Sequence, residues 1–104
     1  MGDPHERTGD AVKERVETRT QDPALFNVVL INDDYTTMQF VIEVLEAIFH
    51  KSPAEAYQIM MHVHRNGRGI AGVYPWEVAE TKADTVRSLA ADAGYPLRAT
   101  IEEA

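Results

Sequence analysis

Two short groups of residues in this chain carry side chains that could do chemistry. Asn32-Asp33-Asp34 sets three acceptor side chains in a row just after an apolar run. Such a trio could coordinate a metal, cap a helix or hold a cation, and ordinary turns are built from the same residue types. No EF-hand loop follows, because Tyr35, Thr37 and Phe40 stand where that loop needs oxygens and glycine. Acid–base work by the two carboxylates would want a nucleophile or a phosphate-cradling glycine loop beside them, and neither accompanies them. No catalytic residue is assigned.

Met60 and His64 form the second group. They are four apart, so on a helix they lie one turn apart on one face. An apolar stripe of Ala56, Ile59, Met60 and Val63 then ends in an imidazole. That imidazole either meets a ligand or hydrogen-bonds a backbone carbonyl as a half-buried histidine. His62 points to another side of the helix, His50 is remote, and there is no His-Glu-x-x-His zinc motif, so no metal site is expected. Met38, Met60 and Met61 are either core filler or, where they converge, the adaptable wall of an apolar pocket. Glu77, Glu80, Thr81, Lys82 and Asp84 read most simply as a solvated helix face, with a docking surface as the alternative.

The elements that must position these groups follow from periodicity. Residues 26–31 are short, apolar and β-branched, which predicts a mostly buried strand ended by Asn32-Asp33-Asp34. A helix is expected over 37–49, with Met38, Val41, Ile42, Leu45, Ile48 and Phe49 on one face and Thr36 or Thr37 as cap. Ser52, Pro53 and Glu55 announce a second helix through an N-cap, a first-turn proline and a capping box. Asn66-Gly67 stops it, with Gly67 as the left-handed cap. A second strand is expected over 70–74, and a third helix from Pro75 to about Ala93 with Val78, Ala79, Ala83, Val86, Leu89 and Ala90 inward. Gly94 ends that helix, and a last strand is expected over 97–101. The order β-α-α-β-α-β predicts a single small α+β domain, three mainly antiparallel strands packed against three helices.

A chain of 104 residues suits one domain of that size. Residues 1–22 are polar and charged with few apolar side chains, which predicts a flexible N-terminal tail ahead of a domain spanning 23–104. The net charge of −7, without a basic patch, argues against nucleic-acid binding and suits a partner that presents positive charge, such as an α-ammonium group. Cysteine is absent, so disulfides, thiolate metal sites and a thiol nucleophile are excluded. No signal-peptide core or membrane span is visible, and the expected location is cytoplasmic.

Taken together, Leu30-Ile31-Asn32-Asp33-Asp34-Tyr35-Thr36, Met38 with Phe40-Val41, Met60 with Val63-His64, Val78-Ala79-Glu80-Thr81-Lys82 and Pro96-Leu97 resemble the ClpS family. These are the bacterial adaptors of the ClpAP protease in the N-degron pathway. The resemblance runs from Pro23 to Ala104. It implies the α+β domain predicted above, no enzymatic activity, no cofactor and no metal. It also implies a ligand, the N-terminal Leu, Phe, Tyr or Trp of a substrate protein. By matching motif, Asn32, Asp33, Asp34 and His64 would surround the free α-amine, Asp33 least directly. Thr36, Met38, Val41, Met60, Val63 and Leu97 would line the side-chain pocket. Glu77 and Lys82 would dock on the N-terminal domain of the ClpA-type AAA+ unfoldase, with degradation by ClpP. The tail would serve delivery, and the free adaptor would be a monomer.

Three departures from the family pattern stand out. Thr37 replaces a common proline, Ala71 replaces a common cysteine, and Pro75-Trp76 precedes Glu77. None falls on the acceptor group. The alternatives are a similar-fold interaction domain without N-terminal recognition, and a small metal-assisted hydrolase built on Asp33, Asp34 and His64.

Overall fold

The structure, a computed structural model, describes residues 24–104. The expected tail over 1–22 and the start of the domain at Pro23 lie outside the described residues. The elements are β1 (Leu25–Ile31), α1 (Met38–Ala47), α2 (Pro53–Asn66), β2 (Arg68–Pro75), α3 (Trp76–Ala93) and β3 (Arg98–Glu103). The order is the expected β-α-α-β-α-β. All the strand pairs are antiparallel, and β1 lies in the middle of a β2-β1-β3 sheet.

The central position of β1 explains its composition. Val28, Val29 and Leu30 are fully buried, which only a strand covered on both faces tolerates. The helices cover one face. On the other, the Arg68–Glu102 ion pair, at 2.5 Å, joins the two edge strands and so crosses over β1. Both partners are about half exposed, so the pair contributes little energy. Between Val28 and Val29 the register with β2 shifts, leaving Ala71 without a partner in the ladder. This bulge turns Ala71 into the core, where it is 1% exposed.

Helices α1 and α2 begin and end on local chemistry. Thr37 caps α1 by accepting from the Phe40 N–H, so the threonine takes over the stop-and-start role expected of a proline. After α1, His50 adopts a left-handed φ of 57°, and the Lys51 N–H returns to the Leu45 carbonyl, folding α2 back toward α1. Ser52 and Glu55 complete the predicted capping box of α2. Their reciprocal bonds hold the Glu55 carboxyl below its ordinary range. Gly67 closes α2 at φ 88°, a backbone position that favours glycine.

The buried faces differ in part from the periodicity. Val44 joins Val41 and Leu45 in the core of α1, whereas Met38, expected on that face, is 44% exposed at the first turn. On α3 the buried residues are Ala79, Ala83, Val86 and Ala90, while Val78 and Leu89 are 41% and 42% exposed. The buried stripe is narrow because its alanines let α3 lie close to the sheet. Val78 and Leu89 each sit one residue, about 100° of helix rotation, off that line. Trp76 packs edge-on against Phe26, with centroids 5.3 Å apart, and covers one end of β1.

These placements separate two leucines that periodicity had grouped with the core. Leu45→Ala, at 0% exposure, is expected to lower unfolding free energy by about 2–5 kcal/mol. Leu89→Ala is expected to cost under ~1 kcal/mol. Urea denaturation of both variants measures the difference, and equal losses would contradict the burial described.

Candidate functional site

The loop after β1 and the end of α2 are built against each other. Residues Leu30 and Ile31 pair with Gly69 and Arg68, and the ladder continues one step further as the Asn32 N–H donates to the Gly67 carbonyl at 2.9 Å. That bond places Asn32-Asp33-Asp34 beside the last turn of α2, which carries Val63 and His64. β2 approaches α2 closely here. A Cβ on Gly69 would lie 2.8 Å from Val63 Cγ2 and 3.1 Å from His62 Cδ2, so this contact requires glycine.

Between the loop, the start of α1 and the end of α2 lies a hollow of about 210 Å³. Its walls are Asn32, Asp33, Asp34, Thr36, Met38, Val41, Met60, Val63 and His64. Met60, Val63 and Val41 form a buried apolar floor, and Met38 stands exposed at the rim. Asn32, Asp34 and His64 are exposed. Nine of the ten residues expected at such a site therefore share one surface depression. Leu97 does not line it; it is 4% exposed and belongs to the core cluster behind it.

Asp33 has a structural task. One carboxylate oxygen accepts from the N–H groups of Tyr35 and Thr36 at 2.8 and 2.7 Å, and the other accepts from the Thr36 hydroxyl at 2.7 Å. Burial pushes this carboxyl up, but the Thr36 and Tyr35 donors and the nearby Arg98 charge together hold it below its ordinary value. The Asp-x-x-Thr spacing is a known turn pattern and was the available signal for this role. Asp34 accepts no hydrogen bond from the described residues.

His64 likewise makes no hydrogen bond within the described residues, so the reading of it as a core histidine tied to a carbonyl does not apply there. His62 faces away and contacts Asn66, its Nδ1 lying 3.1 Å from Asn66 Nδ2. Among the described residues, no group of three His, Cys, Asp or Glu could hold a metal ion. The hollow thus joins an apolar floor to a rim of an amide, carboxylates and an imidazole. It suits a ligand with one bulky apolar group and one cationic donor.

Glu77 and Lys82 lie elsewhere, on α3. Glu77 is exposed in the first turn. Lys82 is half-buried, and its Nζ donates to the Ile48 carbonyl at 2.7 Å, with the Tyr74 and Phe49 rings 5.2 and 5.9 Å away. Sequence reasoning missed this clamp on the end of α1, because its partner is a backbone carbonyl, which no side-chain pattern marks. Burial beside the clamp raises the Tyr74 phenol.

Three comparisons bear on the chain as a whole. The family model described as "ATP-dependent Clp protease adaptor protein ClpS" matches residues 21–100. A protein of Desulfatibacillum aliphaticivorans named ATP-dependent Clp protease adapter protein ClpS is 52% identical over 100 residues, covering 96% of this chain and 95% of its own. One of the same name from Maricaulis maris is 53% identical over 98 residues, covering 94% and 88% respectively. Among solved structures, Agrobacterium tumefaciens ClpS2 bound to L-phenylalaninamide is similar with a TM-score of 0.77 and 41% identity, over 80% of this chain and 100% of that one.

The loop chemistry carries a pH signature. Because the Asp33 carboxyl titrates lower folded than unfolded, its contribution to stability is complete above the unfolded value of about 3.9 and disappears as pH falls through the folded value. Asp33→Ala is expected to be less stable than wild type at neutral pH, with the gap closing below pH ~4. Urea midpoints measured across pH test this; a gap that persisted in acid would assign the loss to packing instead.

Proposed function

The chain belongs to the ClpS family of ATP-dependent Clp protease adaptors, and we propose that its hollow grips the N-terminal residue of substrate proteins when that residue is Leu, Phe, Tyr or Trp. The family is one of adaptors rather than enzymes, working between the Clp protease and its substrates. The observation that carries the proposal is the single mouth shared by the apolar floor of Val41, Met60 and Val63 and the acceptors of Asn32, Asp34 and His64. The ClpS2 structure supports it, since phenylalaninamide pairs a free α-amine with a bulky side chain.

The energetics suit that ligand. An α-ammonium carries three donors and one charge, which an amide oxygen, a carboxylate and a neutral imidazole can accept. Charge-assisted hydrogen bonds contribute roughly 1.5–3 kcal/mol each. Burial of a Leu or Phe side chain adds about 1.5–3 kcal/mol. After association costs, an affinity on the order of micromolar follows, and neither half alone reaches it. An internal leucine fails because its amide nitrogen has no charge. Asp33 acts mainly by holding the loop, and Leu97 by supporting the wall from the core. Met38, exposed at the rim, would be the group that a Cβ branch of the ligand meets, which would exclude Val and Ile.

Delivery completes the proposal. Glu77 and Lys82 would form the docking face for the N-terminal domain of a ClpA-type unfoldase, Lys82 also fixing α1 against α3. The adaptor would act as a cytoplasmic monomer, and residues 1–22 would assist hand-over.

A fluorescent peptide beginning with Phe or Leu is expected to bind, and the same peptide N-acetylated is not. Equal binding would remove the proposal in favour of an interaction domain without N-terminal recognition. His64→Ala, which removes the imidazole acceptor from the rim, is expected to weaken binding of the Phe peptide about tenfold. Unchanged affinity would exclude that role. Met38→Ala is expected to improve binding of Val- and Ile-initiated peptides several-fold, relative to Phe, if the rim sets the exclusion.

A further inference from the structure

We infer that the hollow rejects free amino acids, accepting a bulky apolar residue only when its carboxyl group is tied up as an amide, and that Asp34 enforces the distinction. The inference rests on the proposed α-amine site and names its substrate class more sharply. No lysine or arginine lines the hollow, and two carboxylates do, those of Asp33 and Asp34. A free amino acid and the first residue of a peptide share the same ammonium and side chain. They differ on the other substituent of Cα, which is a carboxylate in one and a neutral amide in the other. Because Cα joins the two groups, acceptors gathered around the ammonium also face that substituent. A carboxylate there meets like charge and no cationic partner in the lining.

The two aspartates divide unequally in this. Asp33 is already engaged by three donors from Tyr35 and Thr36. Arg98, paired with Ile31 across the β1–β3 ladder, brings positive charge toward it. Asp34 is exposed, has no donor among the described residues, and lines the mouth of the hollow. It attracts the ammonium of any ligand but repels a carboxylate, so it separates the two ligand classes. One added like charge at contact range lowers affinity on the order of tenfold. Amides and short peptides with the right first residue would then compete for the adaptor, whereas the single amino acids left by complete proteolysis would not.

Calorimetry on the full chain at neutral pH and low salt, with three ligands, tests this. Phenylalaninamide is expected to bind at least about tenfold more tightly than phenylalanine, with 2-phenylethylamine, which has no carboxyl group, in between. Asp34→Asn, at an exposed position, is expected to shrink the amide-to-acid ratio several-fold even as it weakens the amide, and Asp34→Ser is expected to do the same. Added salt is expected to shrink the ratio in wild type. Phenylalanine within about twofold of the amide overturns the inference while leaving the α-amine site standing. So does an unchanged ratio in both variants, or phenylethylamine as weak as phenylalanine. Absence of amide binding in wild type removes the underlying reading and this inference with it.

Discussion

One backbone hydrogen bond holds the site together: the Asn32 N–H to the Gly67 carbonyl, at 2.9 Å. It extends the β1–β2 ladder one rung beyond the strands and ties the acceptor loop to the cap of α2. Every other feature of the hollow depends on that junction. β1 is immovable because Val28, Val29 and Leu30 are fully buried, so Asn32 leaves the sheet at a fixed point. α2 must end at the same point because Gly67 takes the left-handed turn that starts β2. His64 and Val63, in the last turn before Gly67, therefore meet the loop without any side-chain contact having to pull them together. Gly69 then admits Val63 against β2, which keeps the floor of the hollow in place.

The loop itself shows how two adjacent, similar side chains acquire different tasks. Asp33 spends both oxygens on three donors from Tyr35 and Thr36 and so makes the loop rigid. Rigidity matters for an ammonium ligand, because acceptors that need no reordering lose less entropy on binding. Asp34, one residue on, accepts no hydrogen bond from the described residues and faces the hollow. A loop in which both carboxylates were free would repel itself, and one in which both were consumed would have no charge to offer.

Much of this was legible in the residues. Fold order, capping box and helix stops followed from turn chemistry and periodicity, because these are local signals, whereas the residues of the hollow were implied by the resemblance to the ClpS family and not by spacing alone. Burial was less legible where it depends on neighbours. Met38 keeps helical phase with Val41 and Leu45, yet it sits at the first turn, where no element covers it. Val78 and Leu89 are apolar and near the core line, but a stripe of alanines brings α3 so close to the sheet that only that line is covered. Leu97 was expected in the lining and lies in the core, since the side chains of Val41, Met60 and Val63 already make the floor. The Lys82 clamp was invisible for a different reason, its partner being a carbonyl 34 positions away.

That clamp ties α3 to the helix that carries the rim of the hollow. The Lys82 ammonium satisfies the Ile48 carbonyl at the C-terminal end of α1, where the helix dipole favours positive charge. Met38 stands at the other end of the same helix, on the rim of the hollow. Between them Val41, Val44 and Leu45 anchor α1 in the core, so the helix behaves as a rigid strut. The clamp and the rim residue thus sit at opposite ends of one helix that the core holds along its length.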